Sequence, residues 1–258
     1  MKADELIHEY FSTVVREGLF PSEGNLKFHL TTLFNGIVFE NKRFLDIGGG
    51  SGIYSFYASF MGAREAVCLE PEIEGSSSSE SKNFKKLQNL LRRPHVKFEP
   101  TTFQAFSGDR KKFDIILLHN SVNHLDETAC INLLKDGKCR EIYKELFSKM
   151  SSLADDGAKL IICDCSRYNF FGLLNVKNPF APSIEWDKHH APEIWAELLS
   201  EVGFCKPKIR WTSFNRLGSL GELFFGNKYL SYFLQSHYCL MMEKSASMRT
   251  NSQGSDIR

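Results

Sequence analysis

Four glycines follow a short apolar run, and residues of this type in this place could hold a nucleotide. The stretch Phe44-Leu45-Asp46-Ile47-Gly48-Gly49-Gly50-Ser51-Gly52 predicts a strand, a tight turn and the start of a helix, as in a nucleotide-binding βαβ unit. Glycine lets the backbone adopt a positive φ and lets a ligand approach without meeting a Cβ atom. A second acid, Glu70, ends the next apolar run, close to where such folds place the carboxylate that binds a ribose hydroxyl pair.

The spacing of the glycines argues against two common nucleotide sites. The dinucleotide fingerprint G-x-G-x-x-G needs a third glycine, which would fall on Ile53 or on Ser55 depending on the first glycine chosen. A phosphate-binding loop of the Walker type needs Gly-Lys-Ser/Thr, and the chain contains no such triplet. The pattern that remains is Asp46-x-Gly48-x-Gly50-x-Gly52.

Strands and helices alternate along the chain from residue 42 onward. Residues 113–118 form a near-continuous apolar run, which predicts a strand buried on both faces of a parallel sheet. The alternation predicts a doubly wound α/β domain with a Rossmann-like sheet, in which ligands bind at the carboxyl ends of the strands. The predicted strands are 43–47, 66–69, 96–99, 113–118, 158–163, 205–211 and 236–243, and the predicted helices between them are 51–61, 79–92, 127–134, 140–153 and 192–202.

Two helices are predicted before the nucleotide unit, over residues 2–17 and 25–34. We therefore expect an N-terminal helical segment at 1–38, which is either a lid or a packing appendage. The main domain follows at 39–244. The stretch 245–258 is polar and without periodicity, so we expect a disordered tail.

The composition is that of an ordinary globular protein, with 42% hydrophobic and 24% charged residues and a net charge of +1. This balance gives no reason to expect a nucleic-acid partner or a membrane partner. The N-terminal stretch is acidic and lacks a signal-peptide core, and the seven cysteines have no framework spacing, so we expect a cytoplasmic protein with reduced thiols. The Cys163-x-Cys165 pair would share one face of a strand, and we expect no metal site.

The whole pattern resembles the class I S-adenosylmethionine-dependent methyltransferases, of the type that acts on small molecules. Residues 46–52 match the glycine loop of that family, and Val67-Cys68-Leu69-Glu70-Pro71 matches the acidic end of its second strand. Residues 113–125 and 153–164 look like its fourth and fifth strand motifs. The resemblance covers most of residues 42–243. It implies seven strands, with the last one antiparallel and inserted between the fifth and the sixth.

The resemblance also implies a cofactor, S-adenosylmethionine, with S-adenosylhomocysteine as its product. Glu70 would accept both ribose hydroxyls, a bidentate task that suits a carboxylate. Asp46 would bind the loop backbone or, through water, the amino group of the cofactor. At the place of the family's adenine-binding acid the chain has Thr102-Phe103, a departure that leaves a hydroxyl or backbone groups to bind the adenine. The full set of predicted cofactor residues is Asp46, Gly48, Gly49, Gly50, Gly52, Glu70, Pro71, Thr102, Phe103, His119 and Asn120.

Methyl transfer from a sulfonium needs a base only when the acceptor must lose a proton. The predicted catalytic candidates are His119, His124 and His189, with His190 adjacent to the last. The alternative for His124 is a hydrogen bond to loop backbone. For the segment around Trp186 the alternatives are a substrate-covering loop and a cap on the following helix. Asp164 ends the fifth strand and either faces the acceptor or satisfies loop donors.

The resemblance implies a methyltransferase, and by elimination we expect its acceptor to be a small organic molecule that is methylated at an O, N or C atom. The chain lacks the Asn/Asp-Pro-Pro-aromatic segment of amino-directed enzymes on nucleic acids and proteins, and it lacks a basic block. Two apolar stretches, Phe170-Phe171 and the one holding Leu220, Leu223, Phe224 and Phe225, are either a substrate wall or core. Two alternatives stay open: a cofactor-binding regulator without activity, and an RNA or protein methyltransferase. A monomer or a homodimer is expected.

Overall fold

The computed structural model describes residues 3–71, 78–108, 111–212 and 226–246. The stretch 220–225, which we interpret as wall or core, lies outside the described residues. So does all of the predicted tail except residues 245 and 246.

The centre of the molecule is a seven-stranded sheet with the order β3-β2-β1-β4-β5-β7-β6. Neighbouring strands pair in parallel from β3 to β5, whereas β7 is antiparallel to both β5 and β6. The predicted Rossmann-like sheet, with its last strand inserted antiparallel between the fifth and the sixth, is therefore confirmed. The strands are β1 Arg43–Ile47, β2 Glu65–Leu69, β3 Val96–Glu99, β4 Phe113–His119, β5 Ala154–Cys165, β6 Phe204–Trp211 and β7 His237–Lys244.

Helices cover both faces of the sheet, as right-handed crossovers between parallel strands require. Apolar residues of α1 to α4 build one core with the sheet, and apolar residues of α5, α6 and α8 build the other. The helices are α1 Ala3–Arg16, α2 Glu23–Leu33, α3 Ile53–Phe60, α4 Ser78–Leu91, α5 Glu127–Asn132, α6 Gly137–Leu153, α7 Phe170–Leu173, α8 Pro192–Glu201 and α9 Lys228–Tyr232. In the described part of the chain, each helix is too short or too polar to cross a bilayer.

The two N-terminal helices pack into the same core as α3. The Tyr10 side chain of α1 is fully buried, and its hydroxyl donates to the Ile53 carbonyl over 3.0 Å. Leu26 and Leu30 of α2 are also fully buried. Ser22 caps α2 by accepting from the Asn25 N–H. This packing fixes α2 close to the carboxyl ends of the strands.

Strand β5 begins earlier than the sequence suggests. Asp155-Asp156-Gly157 reads as a turn before a strand, yet these residues lie inside β5. Ala154 pairs with Phe113 and Lys159 with Ile115, so five steps along β5 oppose two steps along β4. The extra residues bulge outward where Gly157 has a φ of +77°. The polar turn residues are thus a bulge that interrupts one strand.

Candidate functional site

The glycine loop joins β1 to α3 and turns under the end of β2. The Gly48 and Gly49 N–H groups both donate to the Leu69 carbonyl, over 2.8 and 3.2 Å. Gly48, Gly50 and Gly52 have φ values of +70°, +53° and +78°, which side chains other than glycine rarely tolerate. Gly52 is also the N-cap residue of α3. The loop conformation therefore depends on the glycines that the sequence singles out.

Packing adds a second requirement at two of these glycines. A Cβ atom on Gly48 would lie 2.5 Å from the Cβ atom of Ser121, and one on Gly52 would lie 2.5 Å from the Phe84 ring. At Gly50 the nearest atom to such a Cβ would be a Glu80 carboxylate oxygen, 3.5 Å away. Gly48 and Gly52 thus let the loop pack on the domain, whereas a Cβ atom on Gly50 would make only an ordinary van der Waals contact with Glu80.

The carboxylate of Glu70 is held against the loop. Its Oε2 atom accepts from the Gly50 N–H over 2.9 Å. Burial raises the pKa of Glu70, the Gly50 hydrogen bond lowers it, and the like charge of Glu80 raises it further. Glu80 was not among the predicted site residues, because its position on α4 gives no sign that it faces the loop. Pro71 follows Glu70 and is half-buried.

Asp46 lies under the loop and is buried. Its Oδ2 atom accepts from the Ser55 hydroxyl over 3.0 Å, and its Oδ1 atom has no hydrogen-bond partner among the described residues. Burial raises the pKa of Asp46 to about 7, although the Ser55 hydroxyl opposes this rise. Its proposed bond to the loop backbone or to a ligand amino group stays a prediction.

We expect this buried acid to make stability depend on pH. Because the pKa of Asp46 is higher in the folded than in the unfolded protein, its stabilising contribution is present in acid and is lost as the pH rises through 7. Between about pH 5 and about pH 8 the wild type should lose roughly 2–3 kcal/mol more unfolding free energy than Asp46→Asn. Urea unfolding at both pH values measures this difference, with the exposed Asp187→Asn as control. Equal losses in wild type and Asp46→Asn would contradict it.

The segment after β3 offers less to a ligand than the sequence suggests. Phe103, a predicted cofactor contact, is only 3% exposed and belongs to the core. The Thr102 hydroxyl accepts from the Ala105 N–H over 3.3 Å, so it caps a local turn. Thr102 itself is exposed and could still meet a ligand. The adenine-binding role of this pair stays a prediction.

A cavity of about 1010 Å³ lies at the carboxyl ends of β4 and β5, on the face of the sheet that carries α2. Its roof comes from α2 and the loop before it, with Phe20, Asn25, Phe28, His29 and Thr32. Its floor comes from the sheet, with His119, Cys163, Cys239, Arg210 and His237. The loop after β5 closes one side with Phe180 and Ile184. The cavity is therefore bounded by aromatic rings together with many polar side chains.

His119 ends β4 among other rings at the cavity. Its ring centroid lies 4.9 Å from that of Tyr54, 5.3 Å from that of His29 and 6.0 Å from that of His237. Burial holds the pKa of His119 well below its usual value, and His29 and His237 lower it further. Its Nε2 atom has no hydrogen-bond partner among the described residues. A neutral imidazole with a buried, unpaired Nε2 atom therefore lines this part of the site.

Asn120 links β4 to β5 and β7. It has a φ of +53°, and its N–H donates to the Cys163 carbonyl over 2.7 Å. His237 Nε2 lies 3.3 Å from Asn120 Oδ1, and the Thr212 hydroxyl lies 2.7 Å from His237 Nδ1. This chain of contacts orients the His237 ring, with Nε2 donating and Nδ1 accepting.

His189 and Asp164 form a close pair at the cavity. His189 Nδ1 lies 2.9 Å from Asp164 Oδ1, and the two side chains are 12% and 1% exposed. The carboxylate accepts, so Nδ1 carries the hydrogen and Nε2 is left with its lone pair. Asp164 Oδ1 also accepts from the Cys165 N–H, whereas Oδ2 has no partner among the described residues. Asp164 thus binds the N–H of the next residue at the end of β5 and lies at the cavity, while its contact with an acceptor stays a prediction.

The other two histidines considered from the sequence are engaged differently. His124 is an exposed residue at the rim, where its Nδ1 atom lies 2.6 Å from Glu127 Oε1 instead of bonding loop backbone. His190 is fully buried, and its Nε2 donates to the Cys130 carbonyl over 2.7 Å. The structure therefore brings His119, His124 and His189 to one cavity and gives His190 a place in the interior.

Several residues of the cavity were missed from the sequence. His29 lies on α2, which the sequence defines only as an amphipathic helix. Arg210 and His237 lie at the end of β6 and the start of β7. Because β7 runs antiparallel between β5 and β6, the carboxyl end of β6 and the amino end of β7 both lie at the ligand-binding edge of the sheet. The strand order that the resemblance implies could therefore have located Arg210 and His237.

No family model matches the chain. A curated relative, the ribosomal protein L11 methyltransferase of Prochlorococcus marinus (strain AS9601), is 27% identical over 144 residues. The match covers 55% of this chain and 38% of that protein, so the chain matches well under half the length of this relative.

Solved structures are similar over most of the chain. A candidate S-adenosylmethionine-dependent methyltransferase from Listeria monocytogenes superposes with a TM-score of 0.57 at 11% identity, covering 86% of this chain and 99% of that one. A S-adenosylmethionine-dependent methyltransferase from Archaeoglobus fulgidus superposes with a TM-score of 0.54 at 17% identity, covering 90% and 99%. The fold of this chain is thus the one that these methyltransferases have.

Proposed function

We propose that this protein binds S-adenosylmethionine at the glycine loop and transfers the methyl group to a small organic acceptor in the cavity. The observation that carries the proposal is the Glu70 carboxylate, which the Gly50 N–H holds at the glycine loop. The neighbouring strand β4 ends at His119, which lines the cavity. Gly50 has no side chain to keep a ligand away from the loop backbone, and the Glu70 carboxylate would accept the ribose hydroxyls. When bound, the cofactor supplies an electrophilic methyl group on a sulfonium.

The residues of the chain have three tasks in this reaction. The glycine loop and Glu70 fix the donor, and the cavity fixes the acceptor, so that the two reacting atoms are in line. The aromatic rings of the cavity keep water away from the acceptor. His189 receives a proton at Nε2 when the acceptor carries one, and Asp164 stabilises the imidazolium that results. His119 and Asn120 line the boundary between the two sites.

A second candidate function is methylation of a protein, because the curated relative is named a ribosomal protein methyltransferase. A cavity whose roof carries aromatic rings suits a small acceptor better than a folded protein surface does. The other alternative is a regulator that binds the cofactor but has lost transfer activity.

A cytoplasmic location and a monomeric or homodimeric state belong to the proposal. The seven free cysteines support the cytoplasmic location.

The experiment that tests the proposal is calorimetric titration with S-adenosylmethionine. We expect binding by the wild type and a Kd about 30-fold higher for Glu70→Ala, because hydrogen bonds to a charged group are lost. Glu141→Ala removes an exposed carboxylate on α6 and should bind as the wild type does. No binding by the wild type, or equal binding by Glu70→Ala, would contradict the proposal.

A transfer assay then separates the alternatives. The wild type, supplied with S-adenosylmethionine and the small-molecule fraction of a cell extract, should release S-adenosylhomocysteine. Release only with the protein fraction would favour the protein methyltransferase. Binding without release from either fraction would favour the regulator.

A further inference from the structure

Four residues from four neighbouring strands form one row across the cavity floor. His119 pairs with Cys163, Cys163 with Cys239, and Cys239 with Arg210. Residues paired across strands point to the same face of a sheet, so this row runs unbroken from β4 to β6. With strands about 4.8 Å apart, its two ends are separated by roughly 14 Å. Two small thiol side chains in the middle leave a trough between an imidazole and a guanidinium.

The guanidinium of Arg210 has few partners. Its Nη2 atom donates to the Leu33 carbonyl over 3.2 Å and lies 3.9 Å from Cys239 Sγ. Within the ranges that the structure describes, these are the contacts of the guanidinium, with neither an ion pair nor a further hydrogen bond to its remaining N–H groups. The side chain is half-buried and lines the cavity, so those N–H groups are available to a bound molecule.

The other charged groups of the cavity already have partners. Asp164 is paired with His189, and Lys188 is paired with Glu127 and Glu185. The facing surface of α2 brings the Leu33 carbonyl and the rings of Phe28 and His29, and β7 brings Cys239 and His237. Among the described residues, Arg210 is thus the cation of the cavity that lacks an anion.

We propose that the acceptor is an elongated, largely apolar carboxylic acid, whose carboxylate is bound by Arg210 while its other end reaches His119. A guanidinium offers a planar fork that matches a carboxylate. A single free cation suits a singly charged group better than a doubly charged phosphate. The aromatic roof suits a flat or chain-like apolar body. The placement of the methylated end near His119 rests on the proposed function, but the binding of the anion by Arg210 does not.

The test uses the full chain and three acids of increasing length: benzoate, 3-phenylpropanoate and 5-phenylpentanoate. Each is titrated beside its primary amide, which has nearly the same shape without the charge. We expect the longest acid to bind about tenfold tighter than its amide. We expect Arg210→Met to abolish that preference and Arg210→Lys to keep part of it. Lys208→Met, which removes an exposed cation on the same strand, should leave it unchanged.

Equal binding of acids and amides would overturn the inference. So would the absence of binding by all three acids at millimolar concentration, or an unchanged preference in Arg210→Met. Thermal unfolding of each variant checks that the variant is folded at the temperature of the titrations. Titration of the same variants with S-adenosylmethionine separates the two proposals. If the wild type fails to bind the cofactor but shows the Arg210-dependent preference, the proposed function fails and the anion site stands.

Discussion

Replacing His189 by Gly should lower the rate of methyl transfer by about 10²–10³-fold, because a positioned general base typically contributes that much. The acceptor would then have to lose its proton to water. Asp164→Asn should also lower the rate, since the amide cannot stabilise an imidazolium as a carboxylate does. The measurement is release of S-adenosylhomocysteine under saturating cofactor.

A general base can be distinguished from a residue with a structural role, because a small base added to the solution restores the rate only when a base has been lost. Added imidazole should recover part of the activity of His189→Gly, because the small base can occupy the space left by the ring. The KM for S-adenosylmethionine should stay unchanged, since the proposed cofactor site lies at the glycine loop. His8→Gly, which removes an exposed imidazole on α1 outside the cavity, is the matched control and should keep most of the activity. A rate unchanged in His189→Gly would exclude it as the base.

Replacing Gly52 by Ala should lower the free energy of unfolding by about 3 kcal/mol. One part of this cost is the φ of +78°, which is unfavourable for alanine. The other part is the Phe84 ring, 2.5 Å from the new methyl group. That ring is 1% exposed and is held between Phe56 and Phe98 at centroid distances of 5.0 and 4.9 Å, so it cannot move aside without cost.

Gly36→Ala is the control for the conformational part alone. Gly36 has a φ of +82°, and a Cβ atom there would meet nothing within 4 Å. We expect a loss of about 1 kcal/mol, which reflects backbone strain without a clash. Chemical denaturation of both variants gives the comparison. Similar losses at Gly36 and Gly52 would show that packing against Phe84 adds nothing.

The strands of the sheet could be located from the sequence because their apolar runs are short and bounded. Predicted and observed boundaries of β1, β3 and β4 agree to within one residue. The glycine loop could be located as well, since Gly48, Gly50 and Gly52 have the positive φ values that such a turn requires. The order of the strands did not come from apolar patterning, which is the same for any pairing. It came from the resemblance of the motifs to a known family.

Features that depend on tertiary packing could not be predicted from the local sequence pattern. The turn-like residues Asp155–Gly157 bulge within a strand because their partner strand β4 continues beside them. Phe103 is a core residue, although its position after β3 suggested a ligand contact. The pairing of His189 with Asp164 joins residues that are 25 positions apart, so spacing alone gives no sign of it. The cavity floor likewise depends on which strands are neighbours.

The position of β7 has a consequence for the order in which the protein assembles during synthesis. The ribosome makes β6 before β7, yet β7 lies between β5 and β6. A nascent chain that ends before residue 237 can hold the glycine loop and Glu70 in place. In that chain β6 has no neighbouring strand to pair with, and β5 is an unpaired edge strand. The half of the molecule that would hold the methyl donor can therefore form first. The half that would hold the acceptor waits for one eight-residue strand, which brings His237 and Cys239 with it.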